Sequence, residues 1–376
     1  MKIAMPSSDS IRLLIALPGL HRVARGAEIA LEELARALVV HHGFQVTLVG
    51  SGPARNGEPY RYRYAPCVDR WVFEGWPDIP YLRGQYAYEE LTFAPGLARA
   101  YRPGDFDATM TCGYPYTNWV LRGRRADRWA RRPRHIFVTQ NGDWMVRGVN
   151  WEFKHFGCDG LVCVNPEYYQ RHQNRYASVL IPNGVEVRRF CPGPGRRELF
   201  GLPPEGPVVV MVSALIPSKR VLEGIACVAA LPEVHLAIVG DGELRRQVEQ
   251  TGRRLLGARF TRLSLNRQQM PDLYRCADVV LHMSREEPFG NVHLEALASG
   301  VSVVAHDSPT TRWILQDAGF LVDTHDSAAV GRAILAGLGS RSPQDVEYRR
   351  ELVRRRYDWA AVAGQYAEFV SHICRI

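Results

Sequence analysis

Glu287 and Glu295 stand with seven residues between them, in a segment (284–300) that reads Ser-Arg-Glu-Glu-Pro-Phe-Gly-Asn-Val-His-Leu-Glu-Ala-Leu-Ala-Ser-Gly. Carboxylates accept hydrogen bonds from vicinal hydroxyls, which suits a ribose or a hexose. The apolar run 278–283 predicts a strand before the pair, Gly300 ends a helix, and 301–305 predicts the next strand. Phe289, Gly290 and Asn291 then fall at the helix start, where free backbone N–H groups carry partial positive charge and can seat phosphate or sugar oxygens. Gly290 lets a ligand approach the backbone closely. Glu287 alone reads equally well as a carboxylate completing a helix dipole; the pair, with Pro-Phe-Gly-Asn between, reads as a ligand site. Lys219 is one of three lysines, with Lys2 and Lys154, among 47 basic residues. A compact ammonium fits a phosphate as a point charge, whereas guanidinium prefers a planar fork; chance placement is the alternative.

These residues need a scaffold, and the chain supplies the same opening twice. Residues 11–17 predict a buried parallel strand, 27–40 a helix and 44–49 a second strand, with Gly26 at the phosphate-binding corner beside Arg25. The pattern restarts with a strand at 208–212, a loop carrying Lys219 and Arg220, a helix at 221–231 and a strand at 234–239 closed by Gly240-Asp241-Gly242. Two such openings predict two doubly wound α/β domains, with Pro192-Gly193-Pro194-Gly195 as the linker. A length of 376 residues agrees with two domains, and 46% hydrophobic content excludes a disordered or fibrous chain.

The net charge of +8 favours anionic partners, or records a coding bias towards arginine. Seven arginines (Arg122, Arg124, Arg125, Arg128, Arg131, Arg132 and Arg134) fall within residues 121–134. They read either as a contact for an anionic membrane or lipid diphosphate, or as a solvated helix. The eight cysteines lack zinc-ligand spacing and read as reduced thiols of a cytoplasmic protein, and neither a signal peptide nor a membrane span is expected. Residues 60–64 alternate tyrosine and arginine, which reads as a core-facing or acceptor-lining strand in preference to a nucleic-acid surface; no nucleic-acid partner is expected.

The segment 287–300 resembles the E-x7-E motif of retaining glycosyltransferases of the GT-B fold, family 4 (group 1). Arg25-Gly26-Ala27-Glu28, Ile181-Pro182-Asn183-Gly184-Val185, Val239-Gly240-Asp241-Gly242-Glu243-Leu244, Leu273-Tyr274-Arg275-Cys276-Ala277-Asp278 and Gly319-Phe320-Leu321-Val322 also match stretches of that family. The resemblance implies two Rossmann-like domains facing a cleft: 1–188 for the acceptor and 189–355 for the donor. A terminal helix (356–376) would cross back to the first, the alternative being a simple amphipathic end helix packed on the second alone.

It also implies transfer of a hexosyl group from a nucleotide sugar, UDP-linked by first expectation, to a hydroxyl of a glycan or lipid-linked acceptor, with no cofactor and no metal. Glu295 would hold the donor ribose and Glu287 the donor sugar. Phe289, Gly290 and Asn291 would contact sugar or phosphate. Lys219 would bind the diphosphate, with Arg220 or Arg25 replacing an arginine whose family position falls on Ala214. Many members carry a histidine near Asn141; here Asn141 is left to bond sugar hydroxyls, and Asp143 is the nearest candidate base for the acceptor, the donor phosphates being another. Gln140-Asn141-Gly142-Asp143 reads equally as a plain strand-to-helix turn. Asp105-Phe106-Asp107 is a weak match to a DxD metal motif. A nucleotide-sugar epimerase or hydrolase, or a sugar-nucleotide binding protein, stands as the alternative.

Overall fold

Leu13, Leu14 and Ile15 are fully buried in succession, as a strand covered on both faces demands. They belong to β1 (Arg12–Ala16), followed by β2 (Gln45–Gly50), β3 (Arg61–Tyr64), β4 (Ala108–Thr111), β5 (Arg134–Val138), β6 (Gly160–Cys163) and β7 (Ser178–Leu180). These seven form one sheet in the order β3-β2-β1-β4-β5-β6-β7, with every pairing parallel. A second parallel sheet contains β8 (Val208–Val212), β9 (His235–Val239), β10 (Phe260–Leu263), β11 (Val279–His282), β12 (Ser302–His306) and β13 (Phe320–Val322), ordered β10-β9-β8-β11-β12-β13. The computed structural model describes residues 10–123, 132–148 and 151–376.

The chain divides into two units, Met1–Gly184 with Trp359–Ile376, and Val185–Asp358. In each the strand order reverses once, between β1 and β4 and between β8 and β11. Crevices outside the carboxyl ends of strands at such points are where open α/β sheets bind ligands.

In the first unit the helix Gly26–His42 buries Ala30, Leu31, Leu34 and Leu38 and ends at Gly43, whose φ of 67° suits a residue without Cβ. The terminal helix Trp359–Arg375 packs along it. Trp359 lies over Gly184, where a Cβ would meet its indole at 2.4 Å, and Phe369 and Ile373 close on Gly160. In the second unit Val209, Met211, Ile225, Ile238, Val279 and Leu281 form one core between sheet and helices. The helix predicted at 221–231 ends at Ala229.

The Pro-Gly run 192–195 is not the linker. It is packed inside the second unit, where a Cβ on Gly195 would lie 2.6 Å from the Arg275 carbonyl oxygen. Arg275 Nε also donates to the Cys191 carbonyl at 3.0 Å. The alternating strand is split: Tyr62 stacks on His21 with centroids 4.0 Å apart and Tyr60 is buried, while Tyr64 at the sheet edge is 62% exposed. Among the described residues no helix is long and apolar enough to cross a membrane.

Candidate active site

The second unit builds its site at the β8/β11 reversal. After β8 the backbone is drawn against the loop that follows β9: Leu215 N donates to Asp241 O, and Leu244 N to Leu215 O, each at 2.9 Å. Gly240 makes this closure feasible, since its φ is 148° and a Cβ there would lie 1.8 Å from the Ser213 carbonyl oxygen. The chain then makes the short turn Pro217–Lys219 and passes through Arg220, held at φ 52°, into the helix Val221–Ala229. The loop after β11 is tied to this turn by Ser284 Oγ, which donates to Ser218 O at 3.4 Å. Gly290, at φ 85°, caps the helix Asn291–Ala298.

Two loops far apart in sequence thus bring Lys219 to Glu287. Lys219 Nζ donates to Glu287 Oε2, and His282 Nε2, at the end of β11, meets the same oxygen at 3.2 Å. Burial pushes the Glu287 carboxyl up, but the hydrogen bond and charge of His282 and the ammonium of Lys219 outweigh it and hold the group at about 2. Behind His282 lies His293, fully buried, its ring edge-on at 4.8 Å. Neither of its ring nitrogens has a hydrogen-bond partner, and burial holds it neutral, with a pKa of about 3.

Glu295 has different company. Its Oε2 accepts from Tyr274 Oη at 2.8 Å, and Tyr274 is fully buried. Burial pushes Glu295 up to about 7, against the opposing pull of Tyr274, Arg267 and Arg189. Because this folded value lies above the unfolded carboxyl value of about 4.3, the stability it confers is complete at low pH and is lost as pH rises through about 7. Glu295→Gln is therefore expected to raise the melting temperature above that of the parent at pH 8, by about 1–3 kcal/mol in stability. The gain should shrink towards pH 5, and paired thermal melts across that range check it.

The remaining donor-side residues are placed as follows. Arg220 turns to Thr324 Oγ1 at 3.0 Å and Glu223 Oε1 at 3.1 Å. Phe289 is buried, with its ring 6.3 Å from that of Trp313. Asn291 is the first helical residue.

In the first unit Gly26 opens its helix, capped by Arg25. Arg25 Nη1 reaches Glu89 at 3.4 Å and Glu28 at 3.7 Å. Glu89 is fully buried and also takes Arg22 at 2.5 Å and Arg70 at 2.7 Å. Beside it Glu90, fully buried, accepts from Thr117 N at 3.0 Å and is pushed up to about 7 by burial. Asn141 is exposed beyond β5; its amide lies 3.4 Å from Tyr86 Oη and 3.7 Å from Cys112 Sγ, just past β4.

Asp143 is not open to an acceptor. Its buried carboxylate accepts from Arg171 and, at 2.9 Å, from His172 Nε2. Burial pushes the group up, but these partners bring it below its ordinary value. Such a carboxylate is a poor proton acceptor. It clamps the turn after β5 to the helix Pro166–His172.

The Asp105-Phe106-Asp107 match is also spoken for. Asp107 pairs with Arg12 at 2.7 Å and Asp105 with Arg63 at 3.5 Å, at the amino ends of β1 and β4 and away from the reversal crevice. Among the described residues no cluster of three or more His, Cys, Asp or Glu is placed to hold a metal. Of the arginine cluster, Arg124, Arg125, Arg128 and Arg131 lie outside the described residues. Arg122 bonds the His155 carbonyl at 3.0 Å and Arg132 pairs with Asp159 at 2.9 Å.

Sequence reasoning missed His282, His293, Tyr274 and Thr324. A histidine closing the apolar strand 278–283 and another on the apolar helix after Gly290 were readable signals. Nothing in the spacing of Tyr274 or Thr324 announces them.

Solved structures share this architecture. Sucrose-phosphate synthase of Thermosynechococcus elongatus superposes with a TM-score of 0.78 at 20% identity, covering 96% of this chain and 99% of that one. HepE of Anabaena, in complex with UDP-glucose, gives 0.70 at 20% identity, covering 96% and 100%. The fold is GT-B. A family model described as glycosyl transferases group 1 matches residues 206–339. The phosphatidyl-myo-inositol mannosyltransferase of Mycolicibacterium smegmatis is 34% identical over 332 residues, 82% of this chain and 76% of that protein. The chain belongs to the group 1 glycosyltransferases and is a glycosyltransferase that uses nucleotide sugars.

Proposed function

We propose that this chain transfers a hexosyl group, with retention of configuration, from a nucleoside diphosphate sugar to a hydroxyl of a lipid-linked or glycan acceptor. The observation that carries the reading is the convergence of Lys219 and Glu287 at the β8/β11 reversal, beside the N-terminus of the helix Asn291–Ala298. Lys219 and the amides of Phe289, Gly290 and Asn291 provide positive charge for a departing diphosphate, so no bound metal is required by the proposal. Glu287 orients the donor sugar and Glu295, steadied by Tyr274, takes the ribose. Arg220 and Arg25 are assigned support of the loops that carry these groups, because their guanidiniums are engaged by neighbours.

The first unit receives the acceptor near Asn141. Asp143 is assigned to the clamp, which leaves the donor phosphates to accept the acceptor proton. The relative's name makes mannose the first sugar and phosphatidylinositol the first acceptor to try. Uridine diphosphate is the donor nucleotide expected from the family resemblance. A cytoplasmic site of action is part of the same proposal.

A donor that binds the folded chain stabilises it by mass action, by about 2.7 kcal/mol at a hundredfold excess over Kd. Thermal melts with UDP-, GDP-, ADP- and dTDP-linked mannose and glucose should show one base standing out. The largest shift with a UDP sugar supports the proposed base, and the largest with a GDP sugar moves the base to guanosine. No shift with any of them overturns the reading. The anomeric configuration of the product, read by NMR, tests retention, and activity in excess chelator tests metal independence.

A further inference from the structure

We propose that His282 is a positioning residue for transfer, holding Glu287 in place when Lys219 turns to the donor diphosphate. The inference rests on the reading of Glu287 and Lys219 as donor-site residues. One carboxylate oxygen, Glu287 Oε2, is shared by two donors, Lys219 Nζ and His282 Nε2. The two donors differ in freedom. Lys219 ends a four-carbon stem, and its side chain keeps 18% exposure; the imidazole of His282 is rooted at the end of a core strand with 6%. Only the lysine can follow an incoming anion. A diphosphate carries more negative charge than one carboxylate and competes for the ammonium. Glu287, itself 18% exposed, would then be left near like charge with its second donor only. The imidazole N–H is that donor.

His293 completes the device. It packs edge-on against His282 at 4.8 Å and 84° between ring planes, and neither of its nitrogens is hydrogen-bonded. The ring therefore acts on His282 by shape, closing the space into which the imidazole could rotate away from Glu287. On its other side it lies against Gly290, where a Cβ would come within 2.8 Å of its Nε2. The support of Glu287 and the turn that offers backbone amides to the donor thus share one buried wedge.

The test uses the full chain with His282→Phe, His282→Gln and Glu287→Gln. UDP-mannose and GDP-mannose run in parallel as donors, and UDP and GDP serve as binding probes. Release of nucleoside diphosphate is followed with phosphatidylinositol or water as acceptor. Phenylalanine keeps the ring without the N–H, whereas the glutamine amide can donate from nearly the position of Nε2. His282→Phe is expected to lower kcat by about 10- to 100-fold, the loss of one hydrogen bond to a charged group. Nucleoside diphosphate affinity should stay within about twofold, because Lys219 carries it. His282→Gln should recover most of the rate.

Two outcomes overturn the inference: His282→Phe turning over like the parent, or His282→Gln no better than His282→Phe with nucleotide affinity falling alongside. If Glu287→Gln turns over like the parent, the donor-site reading itself fails. If Glu287→Gln is inactive while His282→Phe is fully active, only the role of His282 fails.

Discussion

Lys219→Ala is expected to lower the transfer rate by about 100- to 1,000-fold, the usual effect of removing one fixed donor aimed at developing charge. The ammonium sits on a turn braced by the Gly240–Leu244 loop, and it points at Glu287 across the β8/β11 reversal. On the proposed assignment it meets the diphosphate as the glycosidic bond breaks and negative charge builds on the leaving group. The loss should therefore fall on kcat more than on donor KM. Nucleoside diphosphate product, which carries the full charge, should bind more weakly.

Lys219→Arg separates charge from shape. A guanidinium is planar and larger, and Glu287 offers it a bidentate partner it would leave reluctantly. The arginine variant should keep nucleotide binding yet still transfer about tenfold more slowly than the parent. Single-turnover rates and calorimetric nucleotide titrations measure both quantities. An alanine variant within threefold of the parent rate would show that the ammonium belongs to Glu287 as a structural partner and takes no part in departure of the leaving group.

Much of the fold was legible because its strands are covered on both faces. Val208–Val212 is apolar at every position, and that run admits few readings besides a central parallel strand. Glycines also spoke clearly. Gly240 and Gly290 sit where backbone approaches backbone or φ turns positive, so their places in loops after strands marked the crevice. Spacing could show that Glu287 and Glu295 share a strand–loop–helix unit. It could not show that they live in different electrostatic surroundings, one held ionised at about 2 and the other raised to about 7. That contrast comes from His282 and from Lys219, 68 positions away, which hold Glu287 ionised, and from burial, which raises Glu295 against the pull of Tyr274.

The engagement of Asp143, the candidate base, was hidden for the same reason. Its partners Arg171 and His172 lie on a helix whose packing no local pattern announces. The Pro-Gly run misled because loops packed against a surface use the same residues as loose connections. Only the neighbour, here Arg275, distinguishes them.

Glu89→Ala is the second change expected to have a large effect, and it acts through folding. Glu89 is fully buried on the helix Gly84–Ala100 and receives three guanidiniums: Arg22 at 2.5 Å, Arg70 at 2.7 Å and Arg25 at 3.4 Å. Arg22 and Arg25 lie on the loop between β1 and the first helix, and Arg70 on a separate turn, so one carboxylate ties three segments together. Its removal leaves the three cations facing one another. Arg22, only 17% exposed, retains Asp69 at 2.9 Å and Arg25 retains Glu28 at 3.7 Å, but Arg70 loses the carboxylate that neutralises it.

Breaking a buried ion pair from one side costs about 3–5 kcal/mol. The first unit of Glu89→Ala should therefore melt well below that of the parent. Glu89→Gln keeps the shape and one acceptor oxygen and should lose about half as much. Removing Arg70 together with Glu89 relieves part of the repulsion, so the double variant should be less destabilised than the sum of the single changes. Hydrogen exchange resolved by peptide assigns the effect: the loop 17–25 and the helix Gly84–Ala100 should lose protection while β8–β13 keep theirs. Unchanged protection in 17–25 would mean that the arginines find solvent without cost, and that the buried carboxylate does not hold this loop in place.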